Sequence, residues 1–157
     1  MGADRAHRPL GLAGGLPPGL LELEITEGAI VRDHAAAAAL LGELRASGVC
    51  IAIDDFGVGY SSLSYLQDLP VDRIKIDRVF LRGIQPAPAG DQGRLVAALV
   101  AMARSLGLRI TAEGVETPAQ ADFLRRTGCD EVQGYFYGRP CEASRFDLQW
   151  LAPAGTD

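Results

Sequence analysis

Two adjacent carboxylates, Asp54 and Asp55, follow the apolar segment 49–53 and precede a glycine-bearing segment, residues 56–62. Adjacent residues of a strand point to opposite faces of a sheet, so both acids can serve one site only if Asp55 lies past the strand end. The glycines of the following segment, Gly57 among them, permit the turn that this requires. The pair predicts a site for metal chemistry at the mouth of a strand.

Composition limits the partners that such a site would serve. The 157 residues are 48% hydrophobic and 22% charged, which is typical of one globular domain with a real core. The net charge of -5 argues against general affinity for nucleic acid or anionic membranes, because both require a basic surface. We therefore expect no DNA and no membrane as partners, and an anionic ligand would need metal ions or local cations.

The compartment is predicted from cysteine usage and hydropathy. Cys50, Cys129 and Cys141 show no paired spacing, which is typical of free thiols in the cytosol. The longest apolar stretch, residues 95–103, is far shorter than the roughly 20 residues that a membrane helix needs. The first 20 residues lack a basic segment followed by an apolar one, so we expect a cytoplasmic protein.

Strands and helices are predicted to alternate along the chain. The apolar patterns predict strands over residues 20–25, 49–53, 73–76, 108–112 and 130–133, and helices over 35–46, 61–67, 95–106 and 118–127. Asp33 is predicted to cap the first of these helices, and Thr117 with Gln120 to form a capping box on the last. This alternation is typical of βα units on a parallel sheet, either open or closed into a barrel.

Polar residues lie near the carboxyl end of every predicted strand. They are Glu24, Asp54, Asp55, Lys75, Glu113, Glu116 and Gln133. Sites of α/β proteins lie at this end of the sheet. Several carboxylates at one mouth repel each other unless they hold cations, and oxygen ligands without histidine or thiolate suit Mg2+ or Mn2+. The set is compatible with two-metal hydrolysis of a phosphate ester, in which a lysine stabilises the developing negative charge.

The motifs in these positions resemble those of the EAL domain, a bacterial module that hydrolyses cyclic di-GMP to linear pGpG. The resemblance covers about residues 16–140. It is carried by Leu16-Pro-Pro, Leu23-Glu-Ile-Thr-Glu27, Asp54-Asp-Phe-Gly-Val-Gly-Tyr-Ser-Ser62, Ile74-Lys-Ile-Asp77, Ala112-Glu-Gly-Val-Glu-Thr117 and Gln133-Gly-Tyr135. So many motifs in the same order exclude chance similarity.

The resemblance implies a modified (βα)8 barrel that binds two divalent ions, Mg2+ or Mn2+. Glu24 and Asp54 match ligands of the first ion. Asp54, Asp55 and Glu113 match ligands of the second ion. We therefore expect these four carboxylates to be the metal ligands.

Other residues match supporting roles in the family. Lys75 matches the lysine that contacts the nucleophilic water and the phosphate, and Glu116 and Gln133 match residues that support this centre. Glu27 matches the glutamate that anchors the loop after the acidic pair, residues 56–62. The same loop contributes to dimerisation in the family, which implies a homodimer.

The chain departs from the family pattern in two ways. Val58 replaces the usual threonine of the loop, and the Glu-Ala-Leu segment and the asparagine that supply further metal ligands are absent. We expect residues 1–15 to be a tail outside the domain, 16–152 a partial EAL domain and 153–157 a C-terminal tail. The predicted fold class is α/β, an incomplete (βα)8 TIM-like barrel that lacks its first strands, and hydrolysis by this chain alone is expected to be impaired.

Three functions are compatible with the sequence. The first is a cyclic di-GMP phosphodiesterase, a hydrolase, present here as part of its domain. The second is a signalling module that binds cyclic di-GMP or a protein without hydrolysis, and the third is a structural remnant. Residues 135–137, Tyr-Phe-Tyr, are compatible either with stacking on guanine or with closing the rim of the barrel.

Overall fold

A parallel sheet forms the centre of the protein. The computed structural model describes residues 15–58, 66–84 and 90–146. Its strands are β1 (Glu22–Thr26), β2 (Cys50–Phe56), β3 (Arg73–Ile76), β4 (Arg109–Ala112) and β5 (Glu131–Val132), and they lie in the sheet in chain order. All pairings are parallel, which confirms the predicted α/β class. Within the described residues β1 and β5 each have one strand neighbour, so the sheet is open.

Helices connect most of these strands. They are α1 (Glu27–Arg32), α2 (His34–Ala46), α3 (Asp91–Ser105), α4 (Pro118–Thr127) and α5 (Ala143–Phe146). Single 3-10 turns cover Pro18–Leu20 and Arg78–Leu81. The helix predicted over 61–67 lies largely outside the described residues. No helix in the described part of the chain has the length and apolar character needed to cross a bilayer.

The helix caps explain where the helices begin and end. The Asp33 carboxylate accepts a hydrogen bond from the N–H of Ala36 at 3.1 Å, as predicted, and thereby begins α2. Thr117 and Gln120 form the predicted capping box of α4, and Gly128 ends that helix with φ of 82°. Helix α3 begins four residues before the predicted position 95, because its first turn is polar and the apolar pattern begins only at Leu95.

The register of the sheet separates an apolar face from a polar one. Paired residues of parallel strands share a face, and Ile53, Ile74 and Ile110 share the apolar face with no exposed surface. The residues of the opposite face include Glu22, Glu24, Cys50, Asp54, Arg73, Lys75, Thr111 and Glu131. This opposite face therefore carries buried charged side chains, Arg73 and Lys75 among them, although buried residues are usually apolar.

The acidic pair lies within β2 and not beyond it, so the expected position of Asp55 was wrong. Ile53 pairs with Ile74 and Phe56 pairs with Ile76, which leaves one extra residue in β2. Asp55 has φ of 53°, in the left-handed region that Asp tolerates better than most residues. A bulge inside the strand therefore provides the change of direction that the sequence pattern predicts at the strand end.

Two aspartates fix the amino ends of the strands. Asp72, just before β3, accepts the N–H of Ile51 at 3.0 Å, and Asp130, just before β5, accepts the N–H of Ile110 at 2.9 Å. Each carboxylate thus satisfies a backbone donor of the neighbouring strand. The same device in two places sets the stagger between adjacent strands.

Two glycines provide a matched test of how closely the backbone after β5 packs against Val115. A Cβ at Gly134 would overlap the backbone N and O of Val115, whereas a Cβ at Gly42 in α2 would meet nothing within 4 Å. We expect Gly134→Ala to lower the free energy of unfolding by about 1–3 kcal/mol through overpacking. Gly42→Ala should raise it by about 0.5–1 kcal/mol through helix propensity. Urea denaturation measures both, and a Gly134→Ala variant as stable as the parent would contradict the packing described.

Candidate functional site

Lys75 is the buried centre of an ionic cluster on the polar face. Its side chain is only 6% exposed, and its ammonium nitrogen contacts the carboxylates of Glu24 and Glu113, the latter at 2.5 Å. The carboxylate of Asp54 lies 3.8 Å away. Three predicted site carboxylates, two from different strands and one from the residue after β4, therefore meet around one predicted site lysine. We call this group the Lys75 cluster.

The sheet register explains why these side chains meet. Glu24 pairs with Ala52 of β2, which pairs with Arg73 of β3, so Glu24 and Lys75 point to the same face two strands apart. Ala52 has a side chain too short to separate them. Glu113 follows the last residue of β4 directly, and its N–H donates to the carbonyl of Ile76. The charged side chains at the carboxyl ends of these strands therefore lie close together around Lys75.

Gln133 holds one of the carboxylates in position. Its side-chain amide donates to Oε1 of Glu113 at 3.0 Å. Its own backbone is fixed on both sides, because its N–H donates to the carbonyl of Ala112 and its carbonyl accepts the N–H of Val115. Gln133 therefore acts as a fixed donor to a carboxylate that also contacts Lys75.

The remaining predicted residues surround this group. Asp55 lies in the bulge beside Asp54 and is exposed. Glu116 is exposed, and it lines the same cavity as Glu113 and Gln133. Glu27, 5% exposed, begins α1; whether it anchors the loop remains a prediction, since residues 59–65 lie outside the described part of the chain.

Charge and burial change the proton affinity of two groups. Burial lowers the pKa of Lys75, but hydrogen bonds and charges from Glu113, Glu24 and Asp54 outweigh it, so the pKa is raised and the amine is charged. Partial loss of hydration raises the pKa of Asp55, as do the nearby charges of Asp54 and Asp77, while Lys75 acts in the opposite direction. The carboxylates of the Lys75 cluster thus raise the pKa of the amine, and the pKa of the neighbouring Asp55 is raised as well.

A second ionic group lies on the same face and was not singled out from the sequence. Arg73 contacts Glu22 of β1 and Glu131 of β5, and it is 8% exposed. The signal was the spacing, because Arg73 and Glu22 lie two residues before Lys75 and Glu24, which places each pair on one face.

A cavity opens beside the cluster. It has a volume of about 1050 Å³ and combines site residues with aromatic and cationic side chains. Its lining includes Glu113, Glu116, Gln133, Asp77, Arg78, Arg139, Tyr135, Tyr137 and Phe146. The guanidinium of Arg139 lies 4.5 Å from the ring centre of Tyr135, so one face of that ring is covered.

Comparison with protein families tests the resemblance. The family model described as "EAL domain" matches residues 6–140. The chain belongs to the EAL domain family.

Relatives with assigned activities share this EAL domain. The chain is 49% identical over 130 residues to the bifunctional diguanylate cyclase/cyclic di-GMP phosphodiesterase MucR of Pseudomonas aeruginosa, and 49% identical over 126 residues to the cyclic di-GMP phosphodiesterase NbdA of the same organism. These alignments cover 83% and 80% of the chain. They cover only 19% and 16% of the relatives, so the chain spans about a fifth of their length or less.

Solved structures confirm the fold class of the EAL domain. The complex of PaMucR phosphodiesterase with c-di-GMP superposes with a TM-score of 0.79 at 48% identity, over 86% of this chain and 54% of that one. The manganese and c-di-GMP complex of Klebsiella pneumoniae BlrP1 gives a TM-score of 0.75 at 38% identity, over 83% and 33%. The described sheet thus corresponds to part of an EAL barrel.

The donor set of this EAL domain is chemically suited to hard divalent ions. Every candidate ligand is a carboxylate, and Oδ1 of Asp54 is buried without a hydrogen-bond partner among the described residues. Within those residues, however, no three acidic, histidine or cysteine side chains are arranged to hold an ion. The Lys75 ammonium instead lies among the carboxylates that would do so. Metal binding would therefore require these side chains to rearrange around the added charge.

Removal of the ammonium tests whether the cluster accepts a divalent cation. We expect Lys75→Met to lower the free energy of unfolding by roughly 2–3 kcal/mol in metal-free buffer, because three carboxylates lose their counter-charge while water screens part of the effect. Mn2+ should then raise the melting temperature of the variant more than that of the parent.

Arg94→Met is the matched control for this experiment, because Arg94 is exposed and pairs only with Asp91 among the contacts described. It should change neither stability nor the response to Mn2+ by a measurable amount. An equal Mn2+ response of Lys75→Met and the parent would contradict the assignment of this cluster as the cation site.

Proposed function

We propose that this chain is part of a cyclic di-GMP-specific phosphodiesterase, a hydrolase that converts cyclic di-GMP to pGpG. The observation that carries the proposal is the Lys75 cluster in a chain of the EAL family. Lys75, Glu24 and Asp54 come from separate strands, Glu113 directly follows a fourth, and the four side chains meet on one face. The solved complexes of MucR and BlrP1 with c-di-GMP support the choice of ligand.

Four carboxylates are proposed to hold two Mg2+ or Mn2+ ions. Glu24 and Asp54 would bind the first ion, and Asp54, Asp55 and Glu113 the second. The buried Oδ1 of Asp54 makes no hydrogen bond among the described residues, which supports a role for this carboxylate in holding an ion. When bound, such ions neutralise phosphate charge and lower the pKa of a coordinated water. The manganese and calcium complexes of BlrP1 support the use of divalent ions.

Lys75 is proposed to stabilise the negative charge that develops on the phosphate. Its ammonium stays protonated because the surrounding carboxylates raise its pKa. A fixed positive charge in a buried position stabilises a developing oxyanion more than one in water. Gln133 would hold Glu113 in the orientation that leaves its second oxygen for a ligand.

The cavity beside the cluster is proposed to receive the dinucleotide. Its volume of about 1050 Å³ lies at the upper end of ordinary ligand sites. Glu113, Glu116 and Gln133 lie on its wall, so a ligand there would reach the cluster. Tyr137 and Phe146 provide apolar surface for a base, and Arg78 and Arg139 provide positive charge for phosphate.

This chain by itself is proposed to be a slow enzyme. The glutamate of the Glu-Ala-Leu segment and the asparagine ligand are absent from its sequence. Water in their place would bind the first ion less tightly and fix it less well. We also propose that the protein acts in the cytoplasm and forms a homodimer that involves residues 56–62; most of that segment lies outside the described residues.

A second candidate function is binding of cyclic di-GMP without hydrolysis. The position of Lys75 favours it, because the ammonium already neutralises the carboxylates that hydrolysis would need for metal ions. Such a module would still offer the cavity and its arginines to the dinucleotide.

Turnover measurements separate the two candidates. We expect the chain to convert cyclic di-GMP to pGpG in Mg2+ or Mn2+ far more slowly than a complete EAL enzyme, with the products resolved by chromatography. Asp54→Asn should abolish the remaining turnover, whereas Asp91→Asn, at an exposed carboxylate of α3, should not affect it. A rate typical of complete EAL enzymes would contradict the proposed impairment, and no turnover at all would favour the binding module.

Calorimetry tests ligand binding independently of turnover. Cyclic di-GMP titrated in Ca2+ should release heat with the parent and with Asp91→Asn. Arg139→Met removes a cation from the cavity wall. If the guanidinium contacts phosphate, the variant should bind cyclic di-GMP about tenfold more weakly, which corresponds to the free energy of one charge-assisted hydrogen bond. An absence of heat with the parent at two well-separated temperatures, which rules out a binding enthalpy of zero, would contradict both candidate functions for this chain.

A further inference from the structure

Arg73 binds both outer strands of the described sheet. Its Nε lies 3.0 Å from Oε2 of Glu22 on β1, and its Nη2 donates to Oε1 of Glu131 on β5 at 2.8 Å. Its Nη1 donates to the hydroxyl of Thr111 on β4 at 2.9 Å and also contacts Glu131. One guanidinium therefore connects β1, β4 and β5 to the central strand β3.

The span of this contact is unusual for a single side chain. Neighbouring strands lie about 4.8 Å apart, so β1 and β5 are each roughly 10 Å from β3 along the sheet. Only a long side chain on the central strand that meets long side chains from both edges can close these distances. Because the guanidinium is a planar fork with donors on several sides, Arg73 can bind both carboxylates at once.

This contact lies one layer below the proposed catalytic group. Arg73, Glu22 and Glu131 precede Lys75, Glu24 and Gln133 by two residues each. Residues two apart in a strand lie on the same face, about 6.6 Å apart along it. A displacement of β1 or β5 at the lower layer is therefore transmitted to Glu24 or Gln133 at the upper layer.

We propose that Arg73 is a positioning residue that clasps β1 and β5 to β3 and thereby holds Glu24 and Gln133 at Lys75. The consequence for the site rests on the proposed function, whereas the clasp itself does not. Without it, Glu24 loses its fixed place beside Lys75, and Gln133 no longer orients Glu113. The cation site then loses order although none of its own residues has changed.

Burial of Arg73 shows that the contact is not an incidental surface pair. The residue is 8% exposed, whereas Arg109, which also lies within 3.9 Å of Glu131, has a side chain 71% exposed. Hydrogen bonding to Arg73 is also the main reason that the pKa of Glu131 is lowered. A buried ion pair gives little net stability. Nε of Arg73 contacts Glu22 as an ion pair without hydrogen-bond geometry among the described residues, whereas its terminal nitrogens donate hydrogen bonds to Thr111 and Glu131.

The test removes the clasp without leaving buried charge behind. Arg73→Met combined with Glu22→Gln and Glu131→Gln makes all three groups neutral, so the variant avoids the penalty of unpaired carboxylates. Arg109→Met is the matched control. Arg109 is the register partner of Arg73 on β4, and its guanidinium lies 3.9 Å from the same Glu131, but the contacts described do not connect it to β1. Urea denaturation and circular dichroism establish that both variants fold.

Two readouts decide the outcome. Mn2+ affinity, measured by electron paramagnetic resonance of the free ion, should fall about tenfold in the triple variant and stay within twofold of the parent in Arg109→Met, as expected when a ligand loses its support. Amide hydrogen exchange should rise in β1 and in residues 131–133 of the triple variant, with β3 unchanged. Unchanged affinity and unchanged exchange in a folded triple variant would overturn the proposal.

Arg73→Lys separates positioning from neutralisation. Lysine restores the charge but not the fork, so we expect Arg73→Lys to be as stable as the parent and still to exchange faster in β1 or in residues 131–133. Parent-like exchange at both edges would show that charge alone suffices and would overturn the clasp. If the parent bound no Mn2+, the metal part of the proposed function would fail, and exchange would still decide for or against the clasp.

Discussion

The burial of one ammonium group among three carboxylates constrains the rest of this structure. Lys75 can be charged at 6% exposure only because Glu24, Asp54 and Glu113 surround it. Those carboxylates in turn repel each other without a cation. The sheet must therefore bring the ends of β1, β2 and β4 to β3, and the parallel register does so. The register of the sheet therefore supplies the charge balance that the candidate chemistry needs.

Much of this arrangement could be predicted from the sequence because its signals are local. The capping box of α4, the Asp33 cap and the bounds of β3 follow from residue types at fixed offsets, and all three are confirmed. The polar residues at strand ends also predicted that Lys75 and several acids would lie at one mouth of the sheet. Motif order added the family, since no single local pattern specifies a substrate.

The rest could not be predicted because it depends on pairing between distant segments. Whether Asp55 ends a strand or bulges within it is decided by the register of β2 on β3. The partners of Arg73 lie 51 and 58 residues away along the chain, since its contacts join Glu22 and Glu131. Spacing of two residues identifies the shared face, but only the fold shows which charges are near enough to touch.

The extra residue of β2 has a consequence for how this site tolerates change in chain length. In a regular strand, successive side chains point to opposite faces, so only one of the two aspartates would lie on the same face as Lys75. The bulge breaks that parity. Deletion of one residue between Ile53 and Phe56 would therefore restore a regular strand that contains a single aspartate, and the site would lose one of its two adjacent carboxylates. In this segment, residue count matters as much as residue identity.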